Sequence, residues 1–177
     1  MGQQKIVTVN PHSGENLKEY TKHTANEVER IVSASVNRGA EWARLSFSQR
    51  AGFFLKAAEL LETRKEQYAK LMAEEMGKPI AQGIAEVVKC ASVCRYYAEN
   101  AEKHLKDRHT ATEAKKSFVT YNPLGVIFGI KPWNFPFWQV FRFAVPTLMA
   151  GNTALLKHSS NTTGCSIAIE HLLLDAG

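Results

Sequence analysis

NPLGVIFGIKPWNFPFWQVFRFAVPTLMAGNTALLKHSS, from Asn122 to Ser160, is the stretch on which the fold turns. An apolar run from Val126 to Ile130 ends at Lys131-Pro132-Trp133-Asn134. Pro136 then opens a long apolar segment that reaches Met149. Ala150-Gly151-Asn152 breaks it, and Thr153 to Leu156 is a second short apolar run closed by Lys157. The order is strand, loop, helix, turn, strand. Parallel strands need a crossover of about a dozen residues or more, and this spacing supplies one. In such a β-α-β unit the loop after each strand lies at the carboxyl edge of the sheet, where open α/β folds bind ligands. Asn134 and Lys157 both fall just past predicted strand ends, so they share that edge.

The flanking sequence supplies mostly helices. Ile6–Val9 and Leu17–Tyr20 surround the turn residues Asn10-Pro11-His12-Ser13-Gly14 and predict a β-hairpin. Thr24-Ala25-Asn26-Glu27 is a capping-box pattern. The helix it opens carries Val28, Ile31, Val32 and Val36 and continues to Trp42. Ser46-Phe47-Ser48-Gln49 repeats the pattern for a helix with Phe53, Phe54, Ala57, Leu60 and Leu61 on one face. Lys65 to Met76 is a shorter helix stopped by Gly77. Pro79 suits the first turn of a long helix to about Leu105. Asp107–Thr112 and Lys116–Tyr121, rich in Thr, Phe, Val and Tyr, predict a second hairpin. A last helix runs from about Gly164 to Asp175. The fold class is α/β. Two parallel strands make a narrow sheet with two open edges, and Gly177 has helix C-cap character, so the expectation is the front part of something larger.

Composition bounds the rest. The 177 residues, 45% hydrophobic and 22% charged, suit one globular domain or slightly more. No apolar run reaches the ~18 residues that span a bilayer. The N-terminus has no signal-peptide core, which makes a cytoplasmic location the expectation. Met1-Gly2 is discounted as a myristoylation signal because Ile6 stands where Ser or Thr is needed. The net charge is +5, but the basic residues are dispersed, which argues against a nucleic-acid partner. Cys90, Cys94 and Cys165 cannot all pair, form no C-x-x-C motif, and read as small buried side chains. No metal-ligand spacing and no G-x-G-x-x-G occur.

GIKPWNFP followed by AGNTALLK resembles the aldehyde dehydrogenases, and NFPFWQVFR with LLKHSS most resembles their bacterial succinate-semialdehyde dehydrogenase branch. The resemblance runs from about Val7 to Gly177, with a lysine 157 − 134 = 23 residues after the asparagine as its most specific mark. It implies an NAD(P)-dependent oxidation of an aldehyde by thiolate attack, hydride transfer and thioester hydrolysis, in a homo-oligomer (dimer or tetramer) with no membrane association. Members of the family are much longer, and their catalytic cysteine and glutamate lie in the part this sequence does not include. The chain alone is therefore expected to be inactive. The implied organisation is residues 1–104 as hairpin and helices of the cofactor-binding domain, 105–122 as an oligomerisation hairpin, and 123–177 as the start of the NAD(P)-binding sheet. The competing reading is a non-catalytic assembly module with the same fold.

Residue by residue, the resemblance makes Asn134 the amide donor to the oxyanion that thiolate attack creates. Such a donor is worth ~2.7–4 kcal/mol of barrier. The alternative is an asparagine capping the helix that begins near Pro136. Ile130, Lys131, Pro132, Trp133, Asn134, Lys157, Ser159 and Ser160 are the implied cofactor contacts. Lys157 would donate to ribose hydroxyls; otherwise it is a solvated lysine. Many NAD-preferring relatives carry glutamate where Ser160 stands, and His158 replaces the proline common after this lysine in the family. Both departures leave NAD or NADP open and tilt the choice toward tolerating NADP. Phe135, Gln139 and Arg142 are the implied substrate contacts. Arg142 would hold the far carboxylate through its guanidinium fork; otherwise it is partly buried and satisfied by backbone or a subunit contact. Phe135, Trp138 and Phe141 fit either an aldehyde channel or the core.

Overall fold

The computed structural model describes residues 4–177; the Met1-Gly2 reading lies outside them. Strands β1 (Lys5–Val9) and β2 (Asn16–Thr21) form the first hairpin, its register slipping between Thr8 and Val9. Helix α1 (Ala25–Arg44) starts at Thr24 and α2 (Phe47–Thr63) at Ser46, each with both bonds of the expected capping box. Helix α3 (Lys65–Met76) ends at Gly77 with φ +72°, the left-handed turn that favours glycine. Pro79 is the N-cap of α4 (Ile80–His104). The second hairpin shrinks to two residues a side, β3 (Arg108–His109) and β4 (Phe118–Val119), with Arg108 opposite Val119. Its sequence has β propensity, but both strands are exposed, and pairing without burial sustains little ladder.

The β-α-β unit forms as the hydrophobic pattern dictates. Strand β5 (Val126–Lys131) pairs in parallel with β6 (Thr153–His158), in register from Val126 opposite Thr153 to Lys131 opposite His158. Helix α5 (Trp138–Met149) crosses over, a turn of 3-10 helix follows at Ser160–Thr162, and α6 (Thr163–Ala176) closes the described chain. One core joins these parts. Phe54, Ala57 and Leu61 of α2 meet Val87, Cys90 and Cys94 of α4, Phe137, Phe141 and Val145 around α5, and Cys165, Ile169 and Leu172 of α6. Helix α1 contributes no buried residue; Val28, Ile31, Val32 and Val36 remain exposed despite their helical spacing.

Helix α5 carries Pro146, which leaves the Arg142 carbonyl without its helical donor. Both ends of the helix are tied from outside. Trp42 Nε1 donates to the Leu148 carbonyl at 2.8 Å and Arg50 Nε to the Met149 carbonyl at 3.1 Å. A buried guanidinium at a helix C-terminus has the sign the helix dipole favours. The opposite end receives a carboxylate.

Candidate functional site

Strand β5 runs one residue past the predicted end and β6 two, so Lys157 lies inside the ladder, opposite Ile130. Residues 133–137 then form bends and turns, and α5 begins at Trp138 rather than near Pro136. Asn134 is consequently not the cap of α5. The N-cap position belongs to Phe137 and carries no side-chain cap bond. Asn134 is exposed, with Trp133 and Phe135 about half exposed on either side. The side-chain amide stands at the sheet edge while the backbone beneath it is fastened.

Three buried polar side chains do the fastening. Lys78 Nζ donates to the Asn134 carbonyl at 2.8 Å and lies 4.0 Å from the centre of the Phe135 ring. Glu86, paired with Lys78, accepts the Phe137 and Trp138 N–H groups through Oε1 at 2.9 Å each. Those are among the first, otherwise orphaned donors of α5, and a carboxylate is the favoured charge there. His158 supplies the third tie. Its Nδ1 accepts the Ser159 N–H at 2.8 Å and faces Thr162 Oγ1 at 3.0 Å. The proton must then be on Nε2, which donates to the Pro136 carbonyl at 3.0 Å. Burial, then the nearby Lys157 charge, pushes His158 below the ordinary histidine range and keeps the ring neutral. The end of β6 is thus bonded directly to the loop after β5.

Around this frame the other anticipated residues separate. Lys157 and Ser160 are exposed and Ser159 partly so, with Ser159 Oγ bonded to Asn161 Oδ1 at 2.6 Å. Ile130 is 67% exposed beside them, and Pro132 is exposed too. Lys131 turns its ammonium onto the face of Phe143, 4.2 Å from the ring centre, so the strand end presents its backbone instead. Gln139 is partly buried and Arg142 is exposed, one helical turn apart on α5. Arg142 is not the partly buried arginine considered from sequence: among the described residues no acidic side chain lies within ion-pair distance of it. Its charge helps lower the Lys131 pKa, after the larger effect of burial. Phe141 is 1% exposed and belongs to the core, not to a channel. Trp138 lines a shallow groove with Gln82, Ala85, Glu86, Lys89 and Phe135.

The three cysteines are free and buried. Burial raises all three thiols, Cys94 to about 12, and Glu75 and Glu86 push Cys165 and Cys90 further up. Such thiols are not nucleophiles near neutral pH. Glu75 instead caps α6, accepting the Gly164 and Cys165 N–H groups at 2.8 and 2.9 Å. Sequence reasoning missed Lys78, Glu75 and Glu86, and saw His158 only as a departure from a pattern. The one local signal was Gly77-Lys78-Pro79, a charged residue pinned between a left-handed glycine and a proline. No helix of the described residues is long and apolar enough to cross a membrane.

Comparison with known proteins places these features in context. A sequence profile of the aldehyde dehydrogenase family matches residues 1–177. The chain is 48% identical over 172 residues to a Synechocystis protein named probable succinate-semialdehyde dehydrogenase (NADP+); the match spans 97% of this chain and 38% of that one. It is 43% identical over 175 residues to succinate-semialdehyde dehydrogenase (NADP+) 1 of Mycobacterium tuberculosis, with the same shares covered. The crystal structure of succinic semialdehyde dehydrogenase from Streptococcus pyogenes in complex with NADP+ superposes with a TM-score of 0.94 at 27% identity, over 97% of this chain and 38% of that one. The chain therefore spans 38% of the length of these relatives.

Proposed function

The chain belongs to the aldehyde dehydrogenase family, and from that premise we propose that it serves in the NAD(P)-dependent oxidation of succinate semialdehyde to succinate, as the front portion of a longer enzyme. The observation that carries the reading is the bridged strand edge. Parallel pairing sets Lys131 opposite His158, and the His158–Pro136 bond joins the asparagine loop to the lysine strand. An oxyanion donor and a dinucleotide contact set are then neighbours, which a hydride transfer requires. The similarity to NADP+-dependent succinate-semialdehyde dehydrogenases supports the same reaction.

Asn134 donates its amide to the oxyanion of the attacked aldehyde. The backbone of Ile130 to Trp133, together with Lys157, Ser159 and Ser160, holds NAD or NADP. The donor set fits such a group: an ammonium and hydroxyls line the end of β6, and 157–161 contains no carboxylate to repel a 2′-phosphate. When bound, the nicotinamide supplies the hydride acceptor. The nucleophilic thiol comes from elsewhere in the longer protein, because the three thiols here are buried and held protonated. Phe135 and Gln139 border the aldehyde, and Arg142 binds its distal carboxylate. Residues 105–122 form the arm that pairs subunits in a dimer or tetramer, between the helices of 1–104 and the sheet that starts at 123.

Arg142→Ala tests the substrate assignment. The measurement is kcat/KM for succinate semialdehyde relative to butanal, which has no carboxylate to lose. A fall in that ratio of roughly thirtyfold, equivalent to about 2 kcal/mol, is expected. Equal losses on both aldehydes would remove the carboxylate anchor and leave the substrate an aldehyde of unspecified kind.

A further inference from the structure

We infer that Lys78 and Glu86 are positioning residues for Asn134, acting on the oxyanion donor through its backbone. The inference rests on the role proposed above for the Asn134 amide. Neither side chain reaches the exposed edge; both are almost fully buried, and they are paired with each other. Yet their remaining bonds all go to five consecutive residues. Lys78 takes the Asn134 carbonyl, and Glu86 takes the Phe137 and Trp138 N–H groups. Lys78 also sits under the Phe135 ring. The segment that carries the amide is therefore gripped at its first residue by a cation and at its last two by the matching anion.

Stability alone does not account for an ion pair in this place. Desolvating two charges is costly, and a neutral amide oxygen in place of the Glu86 carboxylate would accept the same N–H groups. The pair does what a cap cannot. It binds the carbonyl of Asn134 itself, before the helix begins, and so sets the direction in which the Asn134 side chain leaves the backbone. Glycine, lysine and proline in sequence fix the start of this grip: Gly77 turns left-handed, Pro79 locks φ, and Lys78 is held inward between them. Placement matters at this site, since a displacement of about 1 Å in a catalytic group can cost on the order of a hundredfold in rate. His158 grips the same segment from the other side at Pro136. That bond fixes the loop to the cofactor strand but does not touch Asn134.

The test is a cycle in the complete enzyme, with kcat, KM and thermal midpoint measured for each variant. The double variant K78M/E86Q removes both charges together, so no lone buried ion remains. It is combined with Asn134→Ala. A kcat loss of roughly tenfold or more is expected with Asn134 present, and about twofold or less once Asn134 is alanine, because an aligned amide no longer exists to be misaligned. Lys78→Arg, which can still donate to the Asn134 carbonyl, should recover most of the rate. Equal kcat losses in both backgrounds would overturn the inference and make the pair structural. So would full activity of K78M/E86Q. Should that variant not fold, Glu86→Asp, which keeps both charges but shortens the reach to the Phe137 and Trp138 N–H groups, takes its place in the cycle: a kcat loss confined to the Asn134 background supports the inference, and equal losses or full activity overturn it. Asn134→Ala with unchanged kcat would instead overturn the oxyanion role and, with it, this inference.

Discussion

Replacing His158 by phenylalanine keeps a ring of similar size and removes three hydrogen-bonded contacts, to Pro136, Ser159 and Thr162. Thr162 Oγ1 retains another acceptor in the Ser159 carbonyl. The Pro136 carbonyl and the Ser159 N–H are left with no other partner among the described residues. A buried polar group without a partner costs about 1–3 kcal/mol. Pro136 is buried and falls toward the upper end, while partly exposed Ser159 can recruit water. The sum is about 3 kcal/mol. For a chain of this size, at about 2–4 °C per kcal/mol, the thermal midpoint should fall by about 6–12 °C. His158→Ala should fall further, because it adds a cavity. The assay is thermal unfolding followed by far-ultraviolet circular dichroism, repeated across acid pH. The sign follows from the depressed pKa. Below the ordinary histidine value of about 6.5 the unfolded chain takes up a proton before the folded one does. The native protein should lose stability as pH falls from there through the lower folded value, and His158→Phe should lack that component. A midpoint shift under about 1 °C would refute the bridge and the reasoning from it.

Other consequences are separately measurable. Ser160→Glu in the complete enzyme should lower kcat/KM for NADP about tenfold or more while sparing NAD, from about 1–3 kcal/mol of repulsion against a 2′-phosphate; an unchanged ratio would mean that residue 160 does not face the adenosine ribose. The 177-residue chain alone should form no NAD(P)H with succinate semialdehyde. Turnover above background that vanishes on Cys165→Ala would contradict the buried, protonated state of that thiol. Gly129→Ala would place its methyl 2.5 Å from the Phe143 ring and should cost about 1–3 kcal/mol, largely recovered by adding Phe143→Leu; full stability of the single variant would show that β5 and α5 are not in contact there.

The sequence by itself determined the elements of this protein. Two capping boxes, a glycine stop at 77, a proline start at 79 and a strand–helix–strand pattern over 122–160 are local signals, each set by a few neighbouring residues. The family resemblance carried by Pro132 to Pro136 and Lys157 drew the anticipated site residues from both strand ends, and parallel pairing brought those ends together. Tertiary structure decided what holds them. Lys78 and Glu86 meet the asparagine loop across 56 and 51 residues of chain, and His158 meets it across 22. A lysine between two helices and a glutamate on a helix pattern both read as solvated surface, since charged side chains are rarely buried unless paired. Phe141 and Arg142 are adjacent in an apolar run, yet one is core and the other exposed, because helix rotation against α2 and α4 assigns their faces. Local patterns fix backbone conformation because its energetics are short-ranged. A buried charge is stable only once its partner has folded against it, and that partner is chosen by the packing of distant segments.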